Sequence, residues 1–162
     1  MRKLMTLGAA AAVAVLTMMW LTIGPADSAP GRTLRFYEHD TQQAQLDLGD
    51  KGDSPGDRFV FSGDLFDRKG GRNVGRAAGD CESVSTGAAH AESLCVASFT
   101  LSGGEIVGQG VSNTAELFGG KTVTFAITGG RGIFRNVHGY GTVSVPQDVP
   151  NYTDANFVLY LS

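Results

Sequence analysis

Residues 121–128 read KTVTFAIT, and Gly129-Gly130-Arg131-Gly132 follows directly. Val123, Phe125 and Ile127 fall on one side of an extended chain; Thr122, Thr124, Ala126 and Thr128 fall on the other. A strict period of two marks a strand with one buried face. Glycine supplies backbone conformations that other residues reach only with strain, so the GGRG run predicts a structural turn at Gly129, Gly130 and Gly132. A phosphate cradle would need a helix after the glycines; Ile133-Phe134-Arg135 opens another strand pattern instead.

The same pattern repeats in both directions. Upstream, strands are expected at 32–39 (RTLRFYEH), 57–67 (DRFVFSGDLFD), 73–86, 93–101 (SLCVASFTL) and 105–114. Downstream, they are expected at 138–145 and 156–161. Turn signals such as Arg68-Lys69-Gly70-Gly71 and Ser102-Gly103-Gly104 separate them about every ten residues. No segment after residue 28 sustains apolar residues at helical spacing. Eight strands in succession predict an all-β domain, an eight-stranded antiparallel up-and-down barrel, which removes the edges that an open sheet exposes.

The barrel is expected to begin at residue 29. Met1-Arg2-Lys3 is basic, 4–23 carries no charge, and Ala26, Ser28 and Ala29 are small. That is the order of a secretory signal peptide over 1–28, with the uncleaved apolar run as a membrane anchor the alternative. Cleavage after Ser28 would leave 134 of the 162 residues, enough for one domain with one core. Export makes a disulfide the default for Cys81 and Cys95, the two cysteines of the chain. A hairpin turning at Gly87-Ala88-Ala89 is centred on 88, midway between them, and sets them opposite each other. A reactive thiol at Cys81 is the competing reading.

Acids outnumber bases 16 to 13, and the basic cluster Arg68-Lys69…Arg72…Arg76 sits in a glycine-rich turn, so nucleic acid is not an expected partner. His39, His90 and His138 lack metal-ligand spacing, and no cofactor is expected. Residues 40–57 are polar and glycine-rich and are expected to form a long loop. Its Asp47, Asp50, Asp53 and Asp57 do not fit a helix-loop-helix calcium site, and a solvated acidic loop is the expectation. No Gly-x-Ser-x-Gly elbow surrounds Ser83, Ser85, Ser98 or Ser102, so a hydrolase has no support. Asn151-Tyr152-Thr153 matches a glycosylation acceptor pattern and carries little weight alone.

Three segments together resemble the allene oxide cyclase and dirigent superfamily: Tyr37-Glu38, Val74-Gly75-Arg76-Ala77-Ala78-Gly79-Asp80-Cys81, and the run from Phe125 through Thr128-Gly129-Gly130-Arg131-Gly132-Ile133-Phe134 to Tyr140. Cys95 and 101–106 (LSGGEI) are more similar to secreted actinobacterial members than to the plant enzymes. The resemblance implies an eight-stranded barrel with an apolar cavity for a small hydrophobic ligand or substrate, often as a homo-oligomer. In the plant cyclases a strand-one Glu and a strand-three Cys flank an epoxide, and the barrel folds the flexible chain while a ring closes. Glu38 matches that Glu and Cys81 that Cys. The water-anchoring set does not match: Asp40 stands where an Asn is expected, Gly63 replaces the strand-two Asn, and no Ser-Pro follows.

The function expected on these grounds is binding of a small hydrophobic molecule, with steering of its cyclisation or coupling by an isomerase-like barrel. A non-catalytic carrier and a structural barrel with a filled core are the alternatives. Glu38 is the candidate polar group. Alternation gives Phe36 and Glu38 one side and Arg35 and Tyr37 the other. If Phe36 is core, Glu38 points inward; if Tyr37 is, Glu38 is a surface charge. The resemblance implies the inward case.

Overall fold

A computed structural model describes residues 31–87, 91–148 and 153–162. The expected signal segment, His90, the tip of the cysteine hairpin at Ala88-Ala89, and Asn151-Tyr152 lie outside the described residues. Eight strands follow in chain order: β1 (Arg32–Leu46), β2 (Arg58–Phe66), β3 (Asn73–Ser85), β4 (Glu92–Leu101), β5 (Gly104–Asn113), β6 (Val123–Gly132), β7 (Gly139–Ser144) and β8 (Asp154–Leu161). One short helix, α1 (Thr114–Phe118), joins β5 to β6. Each strand pairs antiparallel with the next, and β8 returns to β1, closing the barrel.

Alternation sorts side chains as the sequence predicts. Val123, Phe125 and Ile127 point inward with their register partners Val143, Gly141 and Gly139. One end of the barrel is solid. Leu65, Phe99, Ile106 and Leu159 are completely buried there, and Phe36, Ile127, Phe134 and Leu161 pack around them. Each such side chain contributes roughly 1.5–3 kcal/mol relative to exposure.

Two expectations need correction. β1 does not stop at His39 but runs to Leu46, taking 40–46 from the expected loop and pairing Asp40–Leu46 with Gly63–Arg58. The stretch DTQQAQL hid its strand because inward positions near the hollow end face a cavity, where polar side chains such as Asp40 and Gln45 are tolerated. Nor are Gly129, Gly130 and Gly132 the turn itself. They form the last stretch of β6, paired with Val107, Ile106 and Gly104 after a bulge at Thr128. The chain reverses over 133–138, where Val137 N–H donates to Phe134 O at 3.1 Å. The glycines are structural all the same. A Cβ on Gly130 would lie 2.6 Å from Glu105 O and 2.7 Å from Phe134 O.

The remaining loop, 47–57, is tied rather than freely solvated. Asp57 is buried and accepts from the backbone N–H of Leu48 at 2.7 Å and of Ser54 at 2.8 Å. The Ser54 N–H, then that of Leu48, holds its carboxyl below the usual range.

Candidate functional site

The other end of the barrel is hollow. A cavity of about 190 Å³ opens there, walled by Phe59, Phe61, Phe125 and Phe157 and by the Cys81–Cys95 bridge. Glycines on the inner wall make room for the rings. A Cβ on Gly141 would lie 2.2 Å from the Phe125 ring, and one on Gly79 would lie 2.4 Å from that of Phe61. Helix α1 sits at the rim, where Leu117 and Phe118 join the lining. Asn113 caps it, accepting from Glu116 N–H at 3.0 Å. The barrel is therefore not filled through its length.

Glu38 lies on the inner face of β1 and lines this cavity with only 2% exposure. Phe36 is core, as the inward case requires. Tyr37 is buried too, but on the outer side: its hydroxyl donates to Asp154, and Lys69 Nζ stands 5.8 Å from its ring centre. His39 Nδ1 lies 2.6 Å from the other Asp154 oxygen. Burial raises the Asp154 carboxyl above its ordinary range.

The space over β2 explains where the Glu38 carboxyl rests. A Cβ on Gly63 would fall 2.0 Å from Glu38 Oε1 and 2.4 Å from His39 O. Any side chain at 63, the family's Asn included, would compete with the acid for that position. Glycine there makes room for it. Beside Glu38, two residues on and hence on the same face, is Asp40, whose Cα partner across the strands is Gly63. The Glu38 carboxyl is pushed up to about 9, first by burial, then by a hydrogen bond to Asp40, then by the charges of Asp40 and Asp64. Burial likewise raises Asp40. Glu38 Oε1 and Asp40 Oδ1 are, among the described residues, the buried side-chain oxygens with no donor.

Cys81 and Cys95 are register partners with Cα atoms 4.0 Å apart, joined by a disulfide. The bridge faces the same cavity as Glu38. Cys81 thus contributes a sulfur wall and not a thiol. Gly129, Gly130 and Gly132 lie toward the solid end, away from this site. In the sequence Asp40 stands out only as a mismatch to the family's Asn, because 40–57 reads as loop; its spacing of two from Glu38 was the signal that pairs them. The Tyr37–Asp154–His39 cluster joins residues more than a hundred apart and left no local pattern.

The sequence matches the allene oxide cyclase barrel like domain over residues 37–159. No curated protein matches it. Among solved structures, pyocyanin demethylase has a similar fold, with a TM-score of 0.68 at 27% identity, covering 81% of this chain and 100% of that one. A pterocarpan synthase dirigent protein gives 0.64 at 18% identity, covering 82% of this chain and 84% of that one. A Diels–Alderase from Streptomyces koyangensis gives 0.66 at 17% identity, covering 82% of this chain and 63% of that one. The last two likenesses are of fold alone. The closed eight-stranded barrel and the match over 37–159 agree, and the chain belongs to the allene oxide cyclase barrel-like family.

Proposed function

We propose that this protein is an exported barrel whose hollow half holds one small hydrophobic molecule and steers its cyclisation or coupling, with Glu38 as the polar group that orients it. The observation that carries this reading is a buried carboxyl set into an aromatic cavity. Rigid walls select one fold of a flexible ligand, and positioning alone supplies several kcal/mol toward ring closure. The carboxyl adds a fixed electrostatic contact at the reacting end. Pyocyanin demethylase, the pterocarpan synthase and the Diels–Alderase are each named for chemistry on small organic molecules, which supports the ligand class.

Carriage without turnover is the second reading. It is favoured by the tied Cys81 and by Asp40 and Gly63 in place of the family's asparagines. The disulfide agrees with an oxidising compartment, and the basic start with its apolar run agrees with export over residues 1–28. Mass spectrometry of protein purified from culture medium tests both parts. The expected mature chain starts near residue 29 and releases one small apolar molecule per barrel. Turnover predicts that Glu38→Gln changes the product profile, and carriage that it changes affinity alone. A cell-bound chain retaining Met1, or a Glu38→Gln protein with unchanged ligand affinity and products, would contradict the respective part.

A further inference from the structure

Resting on the reading of the hollow half as a ligand site, we propose that Glu38 and Asp40 act as one acid pair sharing a single proton, and that the pair selects an apolar ligand bearing a positively charged nitrogen.

The two side chains stand side by side on the inner face of β1, two residues apart, and both line the cavity. Glu38 is 98% buried by its 2% exposure, and its Oε1 has no donor; neither has Asp40 Oδ1. Two ionised carboxylates in this place would repel, and neither could donate to the other. One proton between them satisfies both orphaned oxygens at once. Burial holds the Glu38 proton to about pH 9, and the pair with its one shared proton carries one negative charge near neutrality.

Among the described residues, no cation inside the cavity offsets that charge. Across the strands Glu38 faces Leu65 and Ala155, and Asp40 faces Gly63. Among the described residues, no Lys, Arg or His lines the cavity. Asp64 of β2 adds further negative charge. His39 acts favourably on Asp40 but is turned to the outer side and held by Asp154 of β8, a third carboxyl that also lines the cavity. The walls are aromatic, and the faces of Phe59, Phe61, Phe125 and Phe157 are themselves attractive to cations. A monoanion in a cavity with aromatic walls is complementary to a cationic nitrogen on an apolar body, and an anionic ligand would be repelled. The same charge would favour a ring closure in which positive charge develops.

The test uses the purified protein and two probes of one shape: (naphthalen-2-ylmethyl)trimethylammonium and 2-neopentylnaphthalene, which differ by a charged nitrogen in place of a carbon. The cation is expected to bind at least about tenfold more tightly at pH 7. Its affinity should rise further toward pH 9 as the shared proton leaves, while that of the hydrocarbon stays flat. Glu38→Gln/Asp40→Asn, which keeps the shape, should erase the preference. Carboxyl carbon-13 resonances of the ligand-free protein should show one proton held by the pair at pH 7, and Asp40→Asn should lower the pH at which Glu38 titrates. Equal binding of the two probes would overturn the selection while leaving a hydrophobic site. Binding of neither would overturn the ligand site and the selection together. Glu38 ionised at pH 7, or unmoved by Asp40→Asn, would overturn the shared proton.

Discussion

The solid and hollow ends of this barrel are made by the same eight strands and the same inward–outward alternation. What differs is the size and polarity of the inward residues. At the solid end Leu65, Phe99, Ile106 and Leu159 meet in the middle with Phe134 folded beneath them. At the hollow end the inward positions pass to Gly79, Gly108, Gly110 and Gly141, to serines, and to the Glu38–Asp40 pair. Glycines let aromatic rings lie back against the wall instead of filling the lumen. A small barrel can be filled by side chains or leave room for a ligand; this one is filled at one end and hollow at the other.

The sharpest contrast is in stability. Phe99→Ala removes a completely buried ring and is expected to cost about 3–5 kcal/mol, whereas Phe59→Ala at the half-buried cavity wall should cost under about 1.5 kcal/mol. Urea unfolding of the two variants decides it. Equal losses would mean the two ends share the load and the contrast is wrong. The disulfide is the main staple of the hollow end, closing a separation of 14 residues. Cys81→Ser/Cys95→Ser should lower stability by about 3 kcal/mol. Equilibrium denaturation that finds no loss would show that the cavity wall stands without it.

Next in size is the electrostatic cost carried by the cavity. The native state keeps the Glu38 proton to about pH 9, while the unfolded chain loses it near the ordinary value of 4.5. Between those limits the native state binds more protons, so stability falls as pH rises from about 5 to about 9. Glu38→Gln should flatten that slope and leave the variant about 1–3 kcal/mol more stable than wild type at pH 8 to 9, with near equality at pH 4 to 5. Thermal unfolding across that range checks the sign; an opposite slope would place Glu38 with a partner it lacks here. The smallest effect is expected on the outside. Arg58 pairs with Asp80 across exposed positions, and Asp80→Asn should change stability by no more than about 0.5 kcal/mol.

The same division governs what was legible in the chain. The solid end announces itself: KTVTFAIT and DRFVFSGDLFD alternate because their inward residues must be apolar. The cysteine pairing was legible for a related reason, since a symmetric hairpin about residue 88 leaves little choice of register. DTQQAQL conceals a strand because its inward side chains meet a cavity and not a core. Asp40 therefore shows only as a departure from the family's Asn, and its place beside Glu38 on one face is not legible. Gly129, Gly130 and Gly132 were legible as structural but not as strand, because a glycine that admits a close backbone neighbour reads like one that makes a turn. Glu38 needed the family resemblance to be singled out, and alternation alone left its side open, since either Phe36 or Tyr37 could be core; the resemblance implied the inward side that the structure shows.

If the hollow half is a binding site and not a packing defect, filling it must cost affinity. Ala97 faces the cavity on β4, and Ala97→Phe would place a ring in the space without touching Glu38 or Asp40. Binding of (naphthalen-2-ylmethyl)trimethylammonium to wild type and to this variant should be compared by isothermal titration. One molecule per wild-type barrel is expected, with at least about a tenfold loss of affinity in a variant that still unfolds cooperatively. Equal affinity in the two proteins would contradict it.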